Sequence, residues 1–495
     1  MSLPEAAALA ASEPTPTDRR APDRLEGAAA FTRALLRDSG GYLLSLGLLN
    51  LGNLLLLPLI TAYLDPAELG LYSLVEAAQM QGVTISLLGM KFSYLYFYAQ
   101  SDAARRTRLL GNALLLVLVS GLVAGLLLAL LFADARVMAR FDAAALPMAW
   151  MMIPLLLGGA VQTLLLTELR ASRHVGLAGV ITVAQLVLWL LLSAWFVALE
   201  DGGLPGLLGA QAIAQGMGCL VAFALVAPRL TISWDQRETQ RMLRYGLPMM
   251  TGLLLRYSLG TILRFALAAM VSIEAAGLFL VINRIAVLFE SLLSLPFLTA
   301  WGGLVHHILR RPDAARIIGQ ISSLALAAAA LFALLCILLQ PALFALLAHE
   351  EMPDAAGVFA LLLLSNMIQM TRSPLSAGIL RSGRTGWSVS NNMLALFVFL
   401  LVLFPATRLA GLTGAMLALL LASLLTSVTL IRAAWRDVPQ QIAPPALGMV
   451  ALLVVAAAAA VAVGPLPLPA CIASLAVAAL LGWRMTRHLD VTNRL

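Results

Sequence analysis

Seven ionisable side chains interrupt apolar stretches long enough to cross a bilayer: Glu76, Lys91, Arg256, Arg264, Arg284, Glu290 and Arg372. A charge at that depth costs about 3 kcal/mol or more unless it is paired or wetted, which makes each one a functional candidate. Five are cations and two are carboxylates, an excess of three positive charges. Arginine's planar fork matches phosphate oxygens, and lysine lacks that fork. The chemistry on offer is the holding of an anion away from water. The ordinary alternative is salt bridges that tie helices together, Glu76 with Arg284 first. Two carboxylates still leave three cations over. Arg264 and Arg372 lie nearer the stretch ends and have the length to snorkel to headgroups, as does Lys91. Glu76 and Glu290 are the candidates for coupling a proton or a sodium ion.

Charges so placed need spanning helices around them. The hydrophobic fraction is 61%, only 12% of residues are charged, and the mean hydropathy is +0.93. Soluble domains carry about 25% charge, so lipid must cover much of this surface. Apolar stretches fall near 41–63, 70–98, 109–132, 147–169, 176–199, 205–227, 246–270, 277–300, 317–340, 357–380, 387–405 and 412–431. Two weaker ones follow near 445–463 and 467–483. An open strand in lipid leaves its backbone groups unpaired, so all are predicted to be helices. The expected architecture is all-α and polytopic, with about fourteen spans. Of the arginines, 24 fall on one side of the alternating connections, and only Arg136, Arg140 and Arg408 on the other. The positive-inside rule then puts both termini in the cytoplasm. It also accounts for the net charge of +7, so no nucleic-acid partner is implied.

Several functions are excluded. Lys91 is the one lysine, and it sits in Gly89-Met90-Lys91-Phe92, not in the G-x-x-x-x-G-K-[ST] of a phosphate-binding loop. Cys219, Cys336 and Cys471 lie in apolar stretches without C-x-x-C spacing, and the five histidines lack zinc-ligand spacing. No cofactor or metal is expected. The connections opposite the arginines are short, which argues against a glycosyltransferase, ligase or polymerase with an external domain, so the chain is not expected to be an enzyme. Residues 1–26 lack the basic start of a cleavable signal and read as a disordered tail. Tyr94, Tyr96 and Tyr98 form a predicted interfacial aromatic belt, with sugar stacking as the alternative.

Three patterns occur twice in the same order. Ala67-Glu68-Leu69-Gly70-Leu71-Tyr72 returns as Glu274-Ala275-Ala276-Gly277-Leu278-Phe279. Leu169-Arg170-Ala171-Ser172-Arg173 returns as Leu380-Arg381-Ser382-Gly383-Arg384. Gly206-Leu207-Leu208-Gly209-Ala210 returns as Gly411-Leu412-Thr413-Gly414-Ala415. The offsets are 207, 211 and 205 residues. An even number of spans per unit makes the repeats parallel. The predicted organisation is a cytoplasmic tail over 1–40, a six-helix lobe over 41–227 and a linker over 228–245. A second six-helix lobe follows over 246–431, and 432–495 adds two more helices and a cytoplasmic end. Asn50 and Asn53 share a face of the first span and correspond, by the offset, to Tyr257 and Gly260 beside the arginines of the seventh.

Together these motifs resemble the polysaccharide-transporter (Wzx-type) branch of the multidrug/oligosaccharidyl-lipid/polysaccharide exporter superfamily. The first helix ends Pro58-Leu59-Ile60-Thr61-Ala62-Tyr63-Leu64, and an acidic-Pro-x-Glu-x-Gly-Leu-Tyr turn runs from Asp65 to Tyr72. Members commonly place an arginine after the Leu-Gly pair that ends the second span. Here Leu88-Gly89 is followed by Lys91 and an aromatic run, so no site is carried over at that point. The resemblance implies a V-shaped bundle of two lobes in the bacterial inner membrane. It also implies a flippase that moves an undecaprenyl-diphosphate-linked oligosaccharide outward for cell-surface or exopolysaccharide synthesis. Candidate substrate-binding residues are Arg256, Arg284, Arg264, Arg372, Asn50, Asn53 and Lys91. Expected partners are the lipid-linked oligosaccharide and the bilayer, with a polysaccharide polymerase and glycosyltransferases as candidate protein partners. The alternatives are a cation-coupled multidrug exporter and a non-transporting component of a polysaccharide assembly complex.

Overall fold

A computed structural model describes residues 54–134, 146–172, 174–231, 234–348, 355–382 and 386–494. Asn50 and Asn53 lie outside them, as do the tail and the longer connections 135–145 and 349–354. The described residues hold helices and turns and no strand, so the all-α polytopic fold stands. The first half contains α1 (Leu54–Tyr63), α2 (Pro66–Ser86), α3 (Met90–Ala99), α4 (Ala103–Ala133), α5 (Leu146–Ala171), α6 (Val175–Ser193) and α7 (Gly203–Val226). The second contains α8 (Gln236–Met270), α9 (Ile273–Phe289), α10 (Leu295–Leu309), α11 (Ala314–Leu338), α12 (Gln340–Ala348), α13 (Ala355–Leu375), α14 (Gly378–Ser382) and α15 (Gly386–Trp435). Last come α16 (Pro444–Val463) and α17 (Leu468–Arg494). Nine helices among the described residues have the length and composition to span a membrane, and a tenth if the bent α8 counts as one.

Three breaks shape this scaffold. The stretch over 70–98 reads as one span in sequence, but Leu88 (φ +46°) and Gly89 (φ +74°) separate α2 from α3. Gly89 has no substitute there: a Cβ would lie 2.1 Å from the carbonyl oxygen of Gly246 on α8. Between α9 and α10 a π turn covers Glu290–Ser294, just before Pro296, which lacks an N–H for the helical ladder. α15 is two helices joined across a kink at Ala410 and Gly411 (φ +54°).

The two halves meet where α2 crosses α9. Asp65 caps α2 by accepting from Glu68 N, and Glu68 returns the bond to Asp65 N, with Pro66 at the first helical position. Ser272 caps α9 by accepting from Ala275 N. Asp65 and Ser272 differ by the same 207 residues as Gly70 and Gly277. The contact itself is reciprocal. A Cβ on Gly70 would lie 2.1 Å from Ile273 O, and one on Gly277 would lie 2.7 Å from Pro66 O. Small residues at such crossings let backbones touch, which is a main source of helix adhesion in lipid. Gly70→Val and Gly277→Val are each expected to cost about 1–3 kcal/mol. Gly252→Ala, where nothing lies within 4 Å, should change stability by about 0.5 kcal/mol or less. Thermal unfolding in detergent measures all three, and equal midpoints would deny the crossing its role.

α8 ties the halves together along its length. Its first turns are fastened to the first half: Arg105 Nη2 donates to both Glu238 oxygens at 3.0 and 3.1 Å. Asp235 N donates to Asn112 Oδ1, and Ser93 Oγ donates to Met242 O. The helix then bends by 43° at Arg256, between Leu255 and Tyr257. Beyond the bend, Ser258 accepts from Gln81 Nε2, and the next turns enter the space between the halves.

Candidate functional site

Glu76 lies on α2 about three turns past its cap, one turn after Tyr72 on the same face. One of its oxygens accepts from Arg284 Nη2 of α9 at 3.0 Å, and the other accepts from Arg264 Nη1 of α8 at 3.3 Å. Arg284 also donates to the Tyr72 hydroxyl at 3.1 Å, and its guanidinium lies over the Tyr72 ring. Arg264 lies over the ring of Phe279. Tyr72 and Phe279 are themselves 207 residues apart, so each arginine rests on one copy of the repeated aromatic. The Arg284 and Arg264 side chains are only 8% and 12% exposed, whereas Glu76 is 35% exposed. One carboxylate thus serves two guanidiniums, and the cluster carries a net charge of +1.

Among the remaining predicted residues, Glu290 and Arg372 come together elsewhere. They line a cleft of about 580 Å³ in the second half, bounded by α8, α9–α10, α13 and α15. Lys91 joins neither place. It is the second residue of α3, half-buried, near the arginine-rich end. The backbone of Arg256 sits at the bend of α8, and its side chain lies outside the described residues, as do Asn50 and Asn53. Arg264 does not follow the snorkelling expectation. It turns inward because Glu76 offers a second carboxylate oxygen and Phe279 a ring face.

Sequence reasoning missed three features. Tyr72 was visible as a motif residue, and its hydroxyl proves to hold Arg284. His306, Trp301 and Gly302 line the cleft, and their signal was the four-residue spacing that Gly302 and His306 share with Glu290. Tyr94 is not part of an exposed belt: it is 1% exposed and donates to the buried Glu168. Tyr96 stacks on Tyr245 of α8, and Tyr98 lies under Arg106. Among the described residues no three His, Cys, Asp or Glu side chains gather as a metal-binding set.

The described residues thus form a polytopic helical scaffold with an arginine-rich junction between its halves and a separate cleft in the second half. Solved structures share this fold. The lipid II flippase MurJ, in an inward closed conformation, aligns with a TM-score of 0.69 at 9% identity, over 93% of this chain and 98% of that one. An inward-facing multidrug resistance MATE family transporter of the MOP superfamily aligns at 0.63 and 16% identity, over 79% and 94%. A Vibrio cholerae MATE transporter aligns at 0.53 and 18%, over 83% and 98%. No curated protein matches the chain. The chain does match the family described as polysaccharide biosynthesis protein over residues 35–301, more than half its length. It belongs to that family.

Proposed function

We propose that the chain is a flippase that carries an undecaprenyl-diphosphate-linked oligosaccharide from the cytoplasmic to the outer leaflet by alternating access. The observation that carries this reading is the single carboxylate shared by Arg264 and Arg284 where the halves meet. Two buried guanidiniums on one carboxylate form a preorganised site for oxyanions, and Glu76 occupies it as a built-in substitute. An arriving diphosphate competes with Glu76 for the same forks, and arginine fits that exchange because it binds phosphate oxygens in pairs. Protonation of Glu76 would free both arginines, which makes this residue the leading candidate for ion coupling. Arg256, at the bend of α8, is the third cation of the path, and the prenyl tail stays in the bilayer.

The arginine-rich connections face the cytoplasm in this reading, so both termini are cytoplasmic and the membrane is the bacterial inner membrane. The halves act as two six-helix lobes that rock about the α2–α9 crossing, joined through 228–245, with α16 and α17 as additions. The reciprocal glycine contact supports the parallel repeat that such rocking requires. The substrate crosses unchanged, and glycosyltransferases and a polymerase act before and after it. A cation-coupled drug exporter is less well supported, because carboxylates should dominate its junction and here two arginines surround one.

Proteoliposomes test the proposal. Purified protein should accelerate the crossing of a fluorescent diphosphate-linked glycolipid well above protein-free vesicles, and should leave a neutral prenyl glycoside behind. Acceleration of an organic cation alone would favour the exporter.

A further inference from the structure

The cleft in the second half has a shape that the junction does not explain. The π turn carries Glu290 and Ser294 into line with Leu298, Gly302 and His306, a row with one residue every four positions along one helical face. π turns often mark places where function has re-aimed a helix. Sixteen residues separate Glu290 from His306, which at about 1.5 Å per residue makes this wall about 24 Å long. The facing wall is α13 and the turn after it, where Asn366, Gln369, Ser373 and Ser376 follow one another at similar spacing around Arg372. Trp301 lies between them, and Leu255 and Leu259 of α8 and Asn392, Ser423 and Thr426 of α15 line the remaining sides. A prenyl chain needs an apolar channel. About half of the residues lining this one are polar: amides, hydroxyls, the His306 ring, the Glu290 carboxylate and the Arg372 guanidinium, set among leucines and Trp301. Its volume of about 580 Å³ falls within the roughly 300–1,000 Å³ of small-molecule sites.

Gly302 supplies an independent sign that the space is kept open. A Cβ built on it meets nothing within 4 Å, so the residue is not there for helix packing. In a helix interior glycine costs about 1 kcal/mol against alanine, and at this position the gain is an unobstructed stretch of the cleft wall.

We propose that the cleft from Glu290 to His306 is a saccharide track. The amides and hydroxyls take sugar hydroxyls, and Arg372 anchors an oxyanion borne by the sugar, either a phosphate ester or a uronate carboxylate. The inference rests on the flippase reading for the class of ligand, and it assigns the glycan a place apart from the Glu76 junction. The halves of the substrate are then handled separately, the diphosphate between α2, α8 and α9 and the sugars along α10 and α13.

The full-length protein in detergent is titrated with glucose 1-phosphate, glucuronate, glucose and inorganic phosphate at matched ionic strength, with the thermal midpoint as readout. The wild type should show a saturable rise with a sugar that carries an oxyanion and a smaller rise with glucose. Whichever of glucose 1-phosphate and glucuronate acts more strongly names the source of the oxyanion. Gly302→Phe fills open space, so it should keep the ligand-free midpoint yet lose the rise with every sugar. Arg372→Gln should keep the response to glucose and lose the extra response to the charged sugars. A rise with inorganic phosphate equal to that with glucose 1-phosphate would overturn the proposal, as would a full response from Gly302→Phe or no response to any sugar. None of these measurements involves transport. Sugar binding without flipping would therefore sink only the flippase, and flipping by a Gly302→Phe protein that binds sugars normally would sink only the track.

Discussion

Arg284→Ala is expected to leave a folded protein that no longer delivers glycan to the outer leaflet. The fold survives because the substitution removes one of two cations from a shared carboxylate: Glu76 keeps Arg264 at 3.3 Å, and a balanced pair replaces a cluster of net +1. The Tyr72 hydroxyl loses its donor from Arg284, a cost of about 1 kcal/mol for one hydrogen bond. Transport should fail because the remaining arginine is fully engaged by Glu76 and no positive excess is left to attract a diphosphate. Hydrogen bonds to a charged group contribute about 1.5–3 kcal/mol each, or about ten- to hundredfold in rate per bond. Arg284→Lys retains the charge without the fork and should keep partial activity. The measurement is complementation of a flippase-deficient strain, with surface polysaccharide quantified against the amount of membrane-inserted protein. Normal polysaccharide from a well-expressed Arg284→Ala protein sinks the anionic-headgroup mechanism.

The charges that matter were legible in the sequence, because an arginine inside twenty apolar residues stands out by type alone. The pairing of Glu76 with Arg284 was the salt bridge named first, as the alternative to an anion site. What sequence could not give was the second partner. Arg264 lies on a helix whose 43° bend at Arg256 decides which way its side chain turns, and bend angles depend on packing that hydropathy does not record. The same limit hid the cleft. Glu290 and Arg372 are 82 residues apart and meet only because α9–α10 and α13 are neighbours, while the π turn that aligns Glu290 with Gly302 shifts the helical register. The break at Leu88-Gly89 was within reach, because glycine readily takes the positive φ that ends a helix, but a continuous apolar run over 70–98 outweighed it. The α2–α9 crossing itself was not read from the sequence. Its two glycines were found as a repeat at an offset of 207 residues, and in the structure they touch.

Glu76→Ala should behave in the opposite way to Arg284→Ala, with folded protein lost before transport can be asked about. Removing the carboxylate leaves Arg284 and Arg264, at 8% and 12% exposure, as two like charges side by side with no acid between them. Breaking a buried ion pair costs about 3–5 kcal/mol because a charge is stranded. Here two guanidiniums lose their shared acid, although Arg284 keeps the Tyr72 hydroxyl and the 35% exposure of Glu76 admits water that offsets part of the loss. Against a total stability of about 5–15 kcal/mol, that is a large fraction. The double variant Glu76→Ala with Arg284→Ala still strands Arg264, so it should recover only part of the loss. That separates this shared arrangement from a simple two-residue salt bridge, in which the double variant would recover fully. The triple variant Glu76→Leu, Arg264→Met, Arg284→Met removes every charge and keeps the volume. Buried ion clusters replaced in this way are often no less stable, so it should fold about as well as the wild type and transport nothing. Fluorescence-detected size exclusion and the thermal midpoint in detergent rank the set. The expected order is triple near wild type, then Arg284→Ala, then the double, then Glu76→Ala. A Glu76→Ala protein as stable as Arg284→Ala would show that the carboxylate does not hold the two arginines together.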